Sequence, residues 1–200
     1  VNSAFEKLVG HFEDRDLRFA AQEERQTVTA DFRGEVGTFR VLARVDDTEG
    51  LFQVFGYMPV RIPEGARPVI AEAITRANFG LKIGKFEMDM DDGEVLFQAA
   101  QVFLGAGRNR GGGGREGASL TDDALDGGST ESVDHSPENL GDDSHDHEVD
   151  GLNDVVIGRL IATSLAMLDK YVPAFLSIVY GNELARDAIR RVESGVDPRE

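Results

Sequence analysis

N-F-G-L-K-I-G-K-F-E-M-D-M-D-D-G-E-V-L-F-Q, residues 78–98, is the stretch whose reading decides the fold. Phe86, Met88 and Met90 alternate with Lys85, Glu87 and Asp89, and Asp92-Gly93 then supplies a turn signal before Val95 and Phe97 resume the alternation. A period of two on both sides of Asp-Gly is the pattern of an antiparallel hairpin. Asn78 and Gly80, just upstream, are stop residues for a preceding helix. The stretch specifies architecture and no reaction.

Working outward, residues 64–77 read as that helix, with Pro68 in its early turns and Ile70, Ile74 and Ala77 along one side. Upstream, residues 26–58 have a period of two. Val28, Ala30 and Phe32 share one face of a first strand, and Phe39, Val41, Ala43 and Val45 one face of a second. A third strand carries Phe52, Val54 and Gly56 on one side and Leu51, Phe55 and Tyr57 on the other. At the start, Ser3 followed by Glu6 has the capping-box spacing, and Phe5, Leu8, Val9 and Phe12 then recur with helical spacing. Near the end, Ile157, Leu160, Ile161, Leu165 and Leu168 form a helical stripe that Pro173 is expected to interrupt. Leu184, Ala188, Ile189 and Val192 line a last helix.

Between residues 104 and 151 the periodicity vanishes and Gly, Asp, Ser and His dominate. This stretch has 12 acidic residues against three arginines, −9 of the chain's formal −16, leaving −7 for the remainder. Low hydrophobicity with high net charge cannot offset chain entropy, so a disordered insert is expected here. Inserting it costs roughly 2 to 3 kcal/mol of loop closure. The organisation expected is one α+β domain over 1–103 and 152–195, the insert at 104–151, and a frayed tail at 196–200. Its fold is a five-stranded antiparallel sheet with helices mainly on one face, in the order α-β-β-β-α-β-β-α-α.

Composition narrows the function. The 200 residues include no cysteine, which removes thiolate metal sites and cysteine nucleophiles. The charge of −16 with no basic patch opposes nucleic-acid and anionic-membrane binding. The most apolar run, residues 155–168, is short and contains Arg159, so it reads as a core helix and not a membrane span. No secretory signal is visible, and a cytoplasmic location is expected.

The element order and particular residues resemble the YbjN family of bacterial sensory-transduction regulators, whose fold is similar to type III secretion chaperones. The residues that carry the likeness are Phe55-Gly56-Tyr57, Pro63 and the helix to Asn78, Gly84-x-Phe86-x-Met88-Asp89 through Asp92-Gly93-Glu94-Val95, and Leu168-Asp169-Lys170-Tyr171 through Phe175. The resemblance implies a type III secretion chaperone-like fold and a non-enzymatic interaction or regulatory module, since secretion chaperones dimerise and hold a partner's extended segment. The long acidic insert departs from the family's compact pattern.

Each candidate chemistry has a plainer reading beside it. Asp89, Asp91, Asp92 and Glu94 crowd carboxylates as a Ca²⁺ site would, but strands flank them where an EF-hand has helices, so the turn reading is preferred. His135, His145 and His147 amid acids suit weak uptake of Zn²⁺, Ni²⁺ or Cu²⁺, against a solvated insert as the plainer reading. The glycines from Gly105 to Gly114 lack a phosphate-loop context. The more informative feature is Leu42, Leu51, Phe55, Tyr57 and Leu96, which alternation points away from the face of Val41, Phe52 and Phe97. Large apolar side chains on an outer sheet face need a cover, supplied by the C-terminal helices, a second subunit or a client peptide. The expectation is therefore a protein with no catalytic residue and no cofactor, binding a protein partner or client peptide through those five residues or a dimer groove, as a homodimer. The alternative is weak divalent-metal binding through the His/Asp-rich insert.

Overall fold

The structure, a computed structural model, describes residues 3–103 and 152–195. Contacts group residues 1–108 and 149–200 into one compact unit, to which every described residue belongs. The expected insert at 104–151, with its histidines and glycine run, and the expected frayed tail lie outside the described residues.

Helix α1 (Ala4–Glu13) opens with the capping box, since Glu6 N–H donates to Ser3 Oγ and Ser3 N–H to Glu6 Oε2. Strands β1 (Ala20–Gln22), β2 (Thr27–Arg33), β3 (Thr38–Asp46) and β4 (Leu51–Tyr57) follow, then helix α2 (Arg67–Gly80) and strands β5 (Lys85–Met88) and β6 (Val95–Val102). Helices α3 (Asp154–Gly181) and α4 (Ala185–Ser194) complete the unit. All strand pairs are antiparallel, in the order β1-β2-β3-β4-β6-β5.

Three expectations need correction. The sheet has six strands where five were expected. The added β1 has only three residues, all exposed, so no burial period marks it. Its place comes from pairing with β2 across a 3-10 turn at Glu23–Arg25, closed by Gln26 in the left-handed region at φ 50°.

The β5–β6 connection is wider than a two-residue turn. Met88 pairs with Val95, leaving Asp89 to Glu94 as the loop, and Met90 is exposed instead of continuing the strand face. Earlier residues of the same chain brace this loop: Ile62 N–H donates to Gly93 O, and Arg67 Nη1 reaches both Met90 O and Asp91 O at 3.0 Å.

Pro173 does not interrupt the C-terminal helix. Helix α3 runs through it for 28 residues. Proline removes the bond to the Asp169 carbonyl, but Leu168, Tyr171, Val172, Ala174 and Phe175 are buried on both sides of it, and packing outweighs one lost hydrogen bond.

The core lies between the inner sheet face and the helices. Phe39, Val41, Phe52, Val54, Phe97 and Ala99 project into it, as the alternation requires. Phe86 sits 5.0 Å from Phe97 and 5.3 Å from both Tyr171 and Phe175, ring centroid to centroid. Each fully buried side chain of this size contributes roughly 1.5–3 kcal/mol. Gly56 lets α3 approach β4, since a Cβ there would stand 2.7 Å from Leu168 Cδ1. The C-terminal helices therefore cover the inner face.

Candidate functional site

With α3 on the inner face, the expected cover of the outer face by the C-terminal helices does not occur. Leu42, Leu51, Phe55, Tyr57 and Leu96 are each only half-buried. Strand register determines which of them meet. Leu42 lies opposite Phe55, and Tyr57 opposite Leu96 on its other side. Phe55 and Tyr57 are two residues apart on one strand face, so these four form a contiguous patch. Leu51 sits at the far end of β4, opposite Asp46 and the exposed Val102, with Gln53 between it and Phe55. It lines neither groove described next.

Two shallow grooves share Thr29, Leu42 and Tyr57. In the first, Phe55 and Leu96 extend the apolar floor, Gln22, Glu24 and Arg25 form a raised wall, and Arg44 borders it. Thr27 is buried there although it points outward. The second groove is bordered by Asp31, Arg40, Pro59 and Glu94. No residue of α1 to α4 lines either one, and the linings contain no histidine, serine or lysine.

The charges around the patch are unevenly distributed. Arg40 faces Asp31 across the β2–β3 ladder at 3.4 Å. Arg25 and Arg44 make no ion pair among the described residues. The trough is therefore positive towards Arg25 and Arg44, and acidic towards Asp31 and Glu94. Burial, and then the charge of Glu94, push the Tyr57 phenol above its usual range, so it remains an O–H donor at neutral pH.

The other polar clusters are engaged structurally. Asp92 pairs with Arg61 and accepts from Glu94 N–H at 2.8 Å, while Asp89 Oδ1 accepts from Asp91 N–H at 2.8 Å. Among the described residues no three His, Asp or Glu side chains gather as a metal set. His11 is buried, with Nδ1 2.5 Å from Asp154 Oδ1, and Arg15 grips the same carboxylate. That carboxyl is held below its usual range by the Arg15 hydrogen bond first and by His11 next. Among the described residues no helix is long and apolar enough to cross a membrane.

The sequence reading missed Arg44 and the wall formed by Gln22, Glu24 and Arg25. Arg44 was findable, being in phase with Leu42 on β3; the wall had no periodic signal.

Comparison with known proteins places this geometry in context. The family model YbjN, "Putative bacterial sensory transduction regulator", matches residues 5–111, more than half of the chain. All five outward residues lie inside that stretch, whereas Leu168 to Phe175 lie outside it. Among solved structures, the chain is similar to the crystal structure of YbjN from E. coli, described as "a putative transcription regulator". That likeness has a TM-score of 0.39 at 14% identity and covers 50% of this chain and 71% of the other. No curated protein matches the chain.

Proposed function

This chain belongs to the YbjN family, and on that premise we propose that it is a non-enzymatic regulatory module that binds a protein partner through its outer sheet face. The observation that carries this reading is the patch of Leu42, Phe55, Tyr57 and Leu96, apolar and half-buried on a face whose grooves no residue of α1 to α4 lines. Apolar clusters rimmed by charge are the usual form of a protein contact, with an aromatic centre and a polar border. Tyr57 adds a donor, and Arg44 a cation with no ion pair among the described residues. The groove linings hold no nucleophile–base pair, which supports binding over catalysis.

The proposal includes a cytoplasmic setting, a type III secretion chaperone-like manner of holding a client segment, and assembly as a homodimer. A photo-crosslinking residue at position 55, with light scattering on the wild-type protein, tests it. Adducts identified by mass spectrometry, self or foreign, that disappear on Leu42→Asp are the expected result. A strict monomer with no adduct at position 55 overturns it.

A further inference from the structure

A third groove lies between α2 and α4, on the helical side of the unit. One wall is Glu72, Thr75, Arg76 and Phe79; the other is Arg186, Ile189, Arg190 and Glu193. Both sets have the spacing i, i+3, i+4, i+7, so each is a single stripe along its helix. The stripes run to a common end, because a Cβ on Gly80 would come within 3.3 Å of Glu193 Oε1.

Three properties mark this groove as a contact surface. Phe79 is 96% exposed, the most exposed large apolar side chain among the described residues. Ile189 is buried and forms an apolar floor. The lining has three arginines against two glutamates, with Asp187 beside Arg186 and Arg190 as the nearest further carboxylate, on a chain of formal charge −16.

The arginines are also incompletely matched. Arg186 Nε and Arg190 Nη1 share one carboxylate oxygen, Asp187 Oδ1, at 3.3 and 3.8 Å, and neither contact is a bidentate fork. Arg76 is held by Glu72 at 2.7 Å. Glu193 turns towards the α2 end, where its charge adds to burial in raising the Tyr171 phenol. The middle of the groove therefore presents guanidinium donors with capacity to spare, beside an unburied aromatic ring.

We propose that this groove, distinct from the outer sheet face, docks an acidic peptide. Its carboxylates pair with Arg186 and Arg190, and an apolar side chain about one helical turn away packs on Phe79. An anionic membrane is the less favoured occupant, because the rest of the unit is acidic and would be repelled.

The test uses a fluorescein-labelled peptide of Glu and Ala with one Leu a helical turn from its central Glu pair, followed by fluorescence polarisation against the full chain. Saturable binding is expected. It should weaken about tenfold or more in Arg186→Ala/Arg190→Ala, as for loss of charge-assisted hydrogen bonds, and with rising salt. Phe79→Ser should weaken it too, while Phe55→Asp leaves it unchanged and so separates this site from the sheet face. Phe79, Arg186 and Arg190 are exposed, so their variants keep the wild-type circular dichroism. Absence of saturable binding, equal binding by the variants, or equal binding of the matching Lys peptide overturns the proposal. So does binding to phosphatidylglycerol vesicles without binding to the peptide.

Discussion

Gly93 and Ile62 are in backbone contact: Ile62 N–H donates to Gly93 O at 2.8 Å, and a Cβ on Gly93 would stand 2.1 Å from Ile62 O. Gly93 also has φ +78°, where side chains are strained. Both facts bar any other residue there. Gly93→Ala is expected to destabilise by about 1–3 kcal/mol or more, since the obstacle is backbone and cannot rotate away. Gly37→Ala, where a Cβ meets nothing within 4 Å, is the control and should stay within about 0.5 kcal/mol. Urea midpoints of the two variants check this; equal midpoints would refute it.

Asn78 does for β5 what a further strand would do. Its Nδ2 donates to Phe86 O at 2.9 Å, and its Oδ1 accepts from Phe86 N–H at 2.8 Å. Removing the amide leaves two part-buried backbone groups without partners, so Asn78→Ala should cost about 1–3 kcal/mol. The Phe86 amide should exchange with deuterium faster, with little change at Phe97 in the sheet interior.

Glu183 accepts from Arg191 Nη2 at 2.7 Å and from Ser177 Oγ at 2.5 Å, fastening the start of α4 to α3. The Arg191 hydrogen bond chiefly holds its carboxyl below the usual glutamate range, with burial opposing and Ser177 adding. A depressed folded-state pKa stabilises fully above the unfolded value of about 4.3, and that contribution is lost as pH falls through the lower folded value. Glu183→Gln should therefore cost about 1 kcal/mol at neutral pH, and its deficit against wild type should close in acid. Denaturant unfolding at pH 7 and pH 3 measures it; a deficit that persists unchanged at pH 3 contradicts the assignment.

Asp154 joins α1 to α3 by accepting from both His11 and Arg15. Asp154→Ala leaves the buried His11 Nδ1 without that partner, a loss of about 1–3 kcal/mol. Hydrogen exchange should rise in α1 before it rises in β3 or β4. Uniform exchange across the unit would show that α1 is held by its apolar face alone.

How much of this could be read beforehand depended on periodicity. Val41, Phe52 and Phe97 face inward because alternation on a half-buried strand leaves no other choice, and the same phase turns Leu42, Phe55 and Tyr57 outward. Strand β1 carries no such pattern and exists only as a partner for β2. The Asp89–Glu94 loop is widened by Ile62 and Arg67, which lie more than 20 residues earlier. Pro173 was read by its local rule, and the burial of Tyr171 and Phe175 overrode it. Of the candidate surface, the residues were legible but not their grouping: Leu51 shares the phase of Phe55, yet the register strands it beyond Gln53. The groove between α2 and α4 had no local signal, because its two walls are more than 100 residues apart in the chain.

The pairing of Asn78 with Phe86 has a further consequence for assembly. A sheet with two bare edges is divalent, and copies joining at both can grow without end. In this unit Phe86 on the edge strand β5 has its outward groups occupied by Asn78, and the other edge is β1, only three residues long. A single side-chain amide thereby blunts one edge of the sheet, and Asn78→Ala would bare a donor and an acceptor on β5 along with losing the two hydrogen bonds.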